Sequence, residues 1–374
     1  MFSEVLNTIS WNETTKRIYD KTSNDVIKAL NKKRLEIEDF MALISPAAEP
    51  YLEQMAQRSK HLTEQRFGKV ISLFIPLYLT NSCINSCVYC GFHISNNMPR
   101  TILTPEQIED EFKAIKRLGP FENILLVTGE NPAKAGVSYL ANAIDIAKRY
   151  FANIKIEVMP LDTDEYISLI KHGLNGVVCF QETYNRERYN IYHPRGMKAN
   201  FEWRLNGFDR MGKAGVHSIG MGVLIGLEDW RTDVTMMAHH LRYLQHHYWR
   251  TRYSVNFPRM RPAENDGFQP NVLMNDKELA QLTFAMRIFD NDIDISFSFK
   301  IINSFLYITF LNKPSLKYSL INSKVIFTFF ISKSIKFIII VVSLKYVIFL
   351  LDNILFIKVY HLNGYLLLNS YVLS

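Results

Sequence analysis

The sequence predicts an α/β fold of the (β/α)8 barrel type, truncated after about the seventh strand and preceded by an N-terminal helical extension. Three observations carry this expectation. Seven apolar runs of strand length recur along the chain with amphipathic, helix-length stretches between them, the signature of parallel βα units. The chemically unusual residues stand just after these runs, where a barrel keeps its active site. Beyond residue 298 the composition changes abruptly and the alternation ends. The expected organisation is therefore a helical extension over 1–68, a barrel over 69–298 and an unrelated tail over 299–374.

The elements follow in order. The start, MFSEVLNTISWNETTKR, has no apolar core behind a basic head, so no secretory signal is expected. Ser23-Asn24-Asp25 reads as a cap before Val26, Ile27 and Leu30, and an amphipathic stretch runs from Tyr51 to Phe67. Lys69 to Thr80 is the first strand. Thr104-Pro105-Glu106-Gln107 then supplies an N-cap, a proline at the first helical position and a capping-box glutamine for a helix to about Leu118. Further strands are expected at Ile124 to Val127, Ile154 to Val158, Gly176 to Phe180, Ile219 to Ile225, Tyr253 to Phe257 and Ile293 to Ser298.

Composition excludes several classes of function. Of 374 residues 48% are apolar, enough for a sizeable core and too many for a disordered chain. The net charge of +7 suggests an anionic partner, but residues 1–298 carry 35 basic and 35 acidic side chains. The surplus lies wholly in 299–374, with eight lysines, no arginine and the single acid Asp352. No nucleic-acid partner is expected. The tail is rich in Phe, Ile, Leu, Lys, Asn, Tyr and Ser, residues favoured by A/T-rich codons, which predicts a reading-frame shift near position 299. A membrane span is not expected there, because Lys336, Lys345 and Asp352 flank the apolar run Ile338 to Val342 and each central charge costs about 2.5–3.5 kcal/mol. Four cysteines, three of them within eight positions, exclude a disulfide scaffold and point to metal ligation in a reducing, cytoplasmic compartment.

Those three cysteines are the most specific signal. Cys83, Cys87 and Cys90 follow the first strand with C-x3-C-x2-C spacing. Three thiolates on one short loop hold three irons of a [4Fe-4S] cube and leave the fourth iron open to a chelating small molecule. The competing reading is a Cys3His zinc site completed by His93, although structural zinc loops belong to small cross-braced modules. Cys179, at the end of a strand between Val178 and Phe180, reads as a buried, inert thiol.

This arrangement resembles the radical S-adenosylmethionine superfamily, with Tyr89 as the aromatic residue beside the last cysteine. Val127-Thr128-Gly129-Glu130 is similar to the family's Gly-Glu element, which implies that Gly129 and Glu130 hold the methionyl ammonium of S-adenosyl-L-methionine. Gly222 through Gly226 looks like the fifth-strand glycine motif that lets backbone approach the adenine. The resemblance is closer to one branch, the aromatic amino acid lyases and their tyrosine lyases of thiamine biosynthesis. It is carried by Pro76-Leu77-Tyr78-Leu79-Thr80-Asn81, by Gln181-Glu182-Thr183-Tyr184, by Trp203-Arg204-Leu205 and by Tyr253 through Pro262. It implies that Glu182 and Arg204 contact the cofactor, and that Tyr78, Ser254, Arg259 and Arg261 are candidates for holding the amino acid. A guanidinium at a strand end suits a carboxylate bidentately, which supports the two arginines.

The activity implied is radical cleavage of the Cα–Cβ bond of L-tyrosine to dehydroglycine and p-cresol, with a [4Fe-4S] cluster, S-adenosyl-L-methionine and a flavodoxin- or ferredoxin-type electron donor. Dehydroglycine hydrolyses readily, so thiazole synthase is the expected protein partner. The related maturase of iron-iron hydrogenase also splits tyrosine but carries a second cysteine-ligated cluster near its C-terminus. This chain has no cysteine after Cys179, which disfavours that sister function. The resemblance stops at one point: the family's seventh strand continues into Ser-Thr-Arg-Glu, and here Ser298 is followed by Phe299-Lys300-Ile301. The alternative readings are therefore an inactive, frame-shifted remnant of such an enzyme, or a related radical S-adenosylmethionine lyase of another aromatic amino acid.

Overall fold

The computed structural model describes residues 1–260, 268–301, 304–309, 317–321, 324–330, 336–342 and 346–350. Five helices precede the first strand: α1 (Phe2–Leu6), α2 (Trp11–Tyr19), α3 (Ser23–Asn31), α4 (Ile37–Ile44) and α5 (Leu52–Phe67). Strands and helices then alternate as β1 (Ser72–Thr80), α6 (Pro105–Leu118), β2 (Asn123–Thr128), α7 (Val137–Ala147), β3 (Asn153–Glu157), α8 (Thr163–His172) and β4 (Gly176–Glu182). Three short helices follow, α9 (Arg186–Tyr192), α10 (Phe201–Leu205) and α11 (Gly207–Lys213), before β5 (Ser218–Val223), α12 (Trp230–His247), β6 (Arg252–Asn256), α13 (Asp276–Phe289) and β7 (Asp294–Ile301).

Local chemistry explains the boundaries. The expected box closes on α6: the Thr104 amide donates to Gln107 Oε1 at 2.9 Å and the Gln107 amide to Thr104 Oγ1 at 3.3 Å. At α3 the cap is Thr22 rather than Ser23, because Thr22 stands three residues before Asp25 and the two exchange backbone bonds in a capping box. β1 begins at Ser72, three residues later than expected, after Gly68 ends α5 with φ 62°.

The chain divides into two compact units. The first comprises Met1–Ile18, Phe74–Arg117 and Phe121–Met274. In it β1 to β6 pair in parallel in chain order, each strand with the next, which is the wall of a (β/α) barrel. Hydrogen bonds set which face is which. The Tyr253 phenol donates to the carbonyls of Leu244, in α12, and Tyr248, at 3.0 and 3.2 Å, so Tyr253 faces the helices. By alternation Ser254 and Asn256 face the other way, into the lumen. On β4 the helix-facing Val177 and Cys179 are buried, whereas lumen-facing Val178 and Phe180 keep some exposure.

The second unit comprises Tyr19–Leu73, Leu118–Pro120 and Asn275–Ser374. The stretch 1–68 thus contributes to both units. Here α13 packs on the N-terminal helices: Gln281 Nε2 donates to the carbonyls of Leu43 and Ser45 at 2.9 and 2.8 Å, and Phe40 meets Phe289 at 4.9 Å. After β7 the βα alternation stops. β8 (Ser304–Thr309) returns antiparallel to β7, with Ser296 opposite Thr309, in place of a helix and a parallel strand. β9 (Lys317–Ile321), β10 (Lys324–Phe330), β11 (Lys336–Val342) and β12 (Tyr346–Leu350) form a separate antiparallel sheet. No helix among the described residues is long and apolar enough to cross a membrane.

Candidate functional site

The cysteine loop leaves the end of β1 and closes on the end of β2. The Gly129 amide donates to the Thr80 carbonyl at 2.8 Å and the Ile84 amide to the Glu130 carbonyl at 3.0 Å. A Cβ on Gly129 would lie 2.3 Å from the Ser82 carbonyl oxygen and 3.2 Å from Cys83 Cβ, so the contact admits only glycine. Arg100 pins the loop from the other side, donating to the carbonyls of Asn81, Phe92, His93 and Asn96 at 2.7–3.1 Å.

All three cysteines are free, with Cys87 buried and Cys83 and Cys90 partly so. Burial pushes the Cys87 thiol up to about 12, against the pull of Lys198, and raises Cys90 as well. Among the described residues no three His, Cys, Asp or Glu side chains are gathered as a ready-made metal site. The donor set still fits a cluster: three soft thiols on one pinned loop.

Next to this loop lies a buried set of charges. Arg204, from α10, forms an ion pair with Glu130, and its Nη1 donates to the Phe180 carbonyl at 3.1 Å and the Cys179 sulfur at 3.4 Å. Asn85 Nδ2, from the cysteine loop, donates to the other Glu130 oxygen at 2.8 Å. Burial pushes Glu130 up, but the Arg204 and Lys198 charges outweigh it and hold the carboxyl below its usual range. Lys198 Nζ meets Glu182 Oε1 at 2.5 Å. Glu182 has φ 70°, the one positive value outside glycine among the described residues, at a bulge between β4 and β5. Such strain persists at sites whose surroundings over-determine it.

The segment after α9 clasps the cysteine loop. The Ser86 and Val88 amides donate to the carbonyls of Arg195 and Tyr192 at 3.1 Å each, and the Lys198 amide to Asn85 Oδ1 at 3.0 Å. Tyr89 meets His193 Nε2 at 2.7 Å. Burial pushes His193 down to about 2, so the ring is neutral; its Nδ1–H donates to the Tyr189 carbonyl at 2.9 Å, which leaves Nε2 to accept from the Tyr89 hydroxyl.

The structure brings Tyr89, Gly129, Glu130, Glu182 and Arg204 together around the three cysteines. Tyr78 and Ser254 face the lumen, with Tyr78 edge-on to Phe92 at 6.0 Å. At Gly222 the close approach is made by the protein itself: a Cβ would lie 2.4 Å from Phe180 and 2.5 Å from the Asn256 carbonyl oxygen. Gly222→Ala is therefore expected to destabilise the barrel by about 1–3 kcal/mol through overpacking, read as a lowered thermal midpoint. Gly226 has φ +127°, a backbone requirement independent of any ligand. Arg259 Nη1 donates to the Met274 carbonyl at 3.2 Å, and Arg261 lies outside the described residues. Cys179 is buried, as expected of an inert thiol, under the Arg204 guanidinium.

Four residues of this site escaped the sequence reading: Asn85, Glu157, His193 and Lys198. Glu157 ends β3, and burial together with the Glu182 charge pushes its carboxyl up to about 7. The folded protein then binds a proton that the unfolded chain, titrating near 4.5, has lost, so this group costs stability as pH rises from about 4.5 through 7. Glu157→Gln is expected to raise the thermal midpoint at pH 8 and leave it unchanged at pH 4 to within about 1 °C; equal midpoints at both pH values would refute the buried-carboxyl account. Several other buried polar atoms have no protein partner, among them Glu157 Oε2, both amide atoms of Gln181, Arg204 Nε, Tyr189 OH and Asn256 Oδ1. Of these, Glu157 and Asn256 are lumen-facing residues, where a polar ligand would satisfy the orphaned atoms.

Comparison with known proteins agrees with this geometry. Residues 77–237 match the Radical SAM superfamily. The 2-iminoacetate synthase of Escherichia coli (strain K12) is 46% identical over 298 residues, 79% of this chain and 78% of that protein. Among solved structures, HydG, a maturase of the [FeFe]-hydrogenase, superposes with a TM-score of 0.71 at 28% identity over 76% of this chain and 66% of its own, just under two thirds. HydG from Carboxydothermus hydrogenoformans superposes with a TM-score of 0.68 at 31% identity over 78% of this chain and 68% of its own.

Proposed function

The chain belongs to the radical SAM superfamily and, within it, to the family of the 2-iminoacetate synthases, and from that premise we propose that it cleaves the Cα–Cβ bond of L-tyrosine to 2-iminoacetate and p-cresol. The observation that carries this reading is the three-cysteine loop closed on Gly129 beside two buried ion pairs, in a chain 46% identical to such a synthase. The enzyme is a carbon–carbon lyase that uses a [4Fe-4S] cluster and S-adenosyl-L-methionine. When bound, these supply one-electron cleavage of the sulfonium and a carbon radical that takes a hydrogen atom from the substrate.

The chain's own residues do the rest. Cys83, Cys87 and Cys90 would hold the cluster, and Arg100 keeps their loop in one conformation. Glu130 is placed to receive the methionyl ammonium, with Arg204 and Glu182 beside it for the carboxylate and ribose, and Tyr89 is held by His193 against the cofactor side. The glycines at 222 and 226 shape the wall around the adenine. Tyr78, Ser254, Arg259 and Arg261 are the residues assigned to the amino acid. Excluding water matters because an imine hydrolyses readily; the same lability makes direct transfer to thiazole synthase the expected fate of 2-iminoacetate. The free thiols suit the reducing cytoplasm, where a flavodoxin or ferredoxin would deliver the electron.

Anaerobic reconstitution with iron and sulfide, followed by S-adenosyl-L-methionine, a reductant and L-tyrosine, tests the reading. The expected result is p-cresol formed together with 5'-deoxyadenosine. A cluster-loaded protein that cleaves S-adenosyl-L-methionine and makes no p-cresol from tyrosine would overturn it. A second reading rests on the break at position 299, where charge and composition change together and β8 turns back antiparallel. It holds that a frame shift left a remnant that assembles the cluster and turns nothing over. Reading the encoding DNA past codon 298 in the other two frames decides this: recovery of Thr-Arg-Glu followed by amphipathic helices supports it, and its absence in both frames refutes it.

A further inference from the structure

Beneath the charges at the barrel mouth, one lumen-facing register row crosses six strands. Ser254 stands opposite Gly220, Gly220 opposite Val178, Val178 opposite Glu157, Glu157 opposite Val127 and Val127 opposite Tyr78. Register partners in a parallel sheet share a face, and a Cβ on Gly220 would indeed meet Val178 Cγ2 at 3.0 Å and Ser254 Oγ at 3.1 Å. The row therefore joins two of the residues assigned to the amino acid, Tyr78 and Ser254, to a third polar residue, Glu157, and Glu157 alone in it is charged. Gly220 and Val178 leave the wall between Glu157 and Ser254 low.

The electrostatics single out the same group. Glu130 and Glu182 each have a cation of their own, Arg204 and Lys198. Glu157 is half-buried as a residue, yet its Oε2 is shielded from solvent and without a hydrogen-bond partner. The charged groups that bear on it are Glu182, Lys198 and Arg204. Val127 and Val178, its register neighbours, lie three and four residues before Glu130 and Glu182, which places Glu157 roughly 10–13 Å further down the strands than the cofactor carboxylates.

Resting on the tyrosine-cleaving reading, we infer that Glu157 is a substrate-binding residue whose carboxylate receives the α-ammonium of the amino acid, between the Tyr78 and Ser254 side chains. A primary ammonium supplies three donors to an acceptor that lacks one, and it brings the missing positive charge. The arrangement presents the nitrogen, rather than the β-carbon, at a fixed place in the lumen. Because burial leaves the ligand-free carboxyl partly protonated near neutrality, tyrosine binding is also expected to release a proton between about pH 6 and 7.

The test uses the cluster-reconstituted full chain and three ligands: L-tyrosine, 3-(4-hydroxyphenyl)propionate, which lacks only the amine, and S-adenosyl-L-methionine. Glu157→Gln, nearly isosteric, is expected to weaken L-tyrosine by about tenfold or more while changing the other two by less than about twofold, and to abolish the proton release seen by calorimetry in buffers of different ionisation enthalpy. Glu157→Asp, which keeps the charge, is expected to recover part of the loss and decides the matter should the glutamine variant not fold. Equal weakening of tyrosine and its amine-free analogue, no weakening, or a loss confined to S-adenosyl-L-methionine would each overturn the assignment. A wild-type holo-protein that binds neither phenol overturns the tyrosine reading itself, and this inference with it.

Discussion

Replacing Cys87 by Ala is expected to remove the cluster and all turnover while leaving the fold intact. Cys87 is the most deeply buried of the three loop thiols, and its backbone is fixed by the Cys90 amide, which donates to its carbonyl at 3.2 Å. Deleting one small side chain there costs about 1 kcal/mol of packing, which a chain of this size tolerates. Losing one of three thiolates is different in kind, because a cube held by three thiolates then keeps only two. Iron after reconstitution is expected to fall from about four per chain to well below one, with loss of the broad visible absorbance. Two controls give this meaning. Cys179→Ala should keep full iron, since that thiol faces the helices under Arg204, and His93→Ala should keep it too. Iron lost on removing His93, or zinc retained in its place, would revive the Cys3His reading.

The difference in legibility between Cys87 and Glu157 has a physical cause. The cysteine spacing, the Thr104–Gln107 box and the period of the strands are encoded within a few residues of each other, so the barrel wall and cluster loop could be read directly. Lys198 and His193 act only because the segment after α9 lies over the cysteine loop, 104 residues away for the Tyr89–His193 pair. Nothing local marks either residue. Glu157 sat in an ordinary strand run, Ile154 to Val158, and its meaning comes from the register that aligns it with Tyr78 and Ser254. The glycine motif was legible as glycine but not as cause: Gly222 is required first by Phe180 and Asn256 within the wall. The cap at Thr22 was missed by one residue because serine ranks higher as a cap, while the acid three residues on decides.

Arg204→Met should cost more stability than any other substitution in the site, and the loss should grow with pH. Arg204 is 3% exposed and neutralises Glu130, which otherwise has the neutral Asn85 amide and the charge of Lys198, itself paired with Glu182. Breaking a buried pair from one side typically costs about 3–5 kcal/mol, because the surviving charge keeps its desolvation penalty. The sign follows from Glu130. In the wild type its carboxyl is held below the usual range, so the pair stabilises above the unfolded pKa and is lost as pH falls through the folded one. Without the guanidinium, burial, the largest single influence on this carboxyl, is opposed only by the already paired Lys198 and by Asn85, so the folded pKa is expected to rise and the variant to lose stability relative to the wild type as pH rises. The wild-type minus variant difference in thermal midpoint should therefore be larger at pH 8 than at pH 5. Glu130→Gln in the same chain removes the stranded charge and should restore most of the loss, a coupling of several kcal/mol in a double-mutant cycle. Additive losses would mean that Arg204 acts mainly through its bond to the Phe180 carbonyl. With the coupling present, the double variant folds well and still binds S-adenosyl-L-methionine weakly, because both groups proposed to grip its amino-acid end are gone.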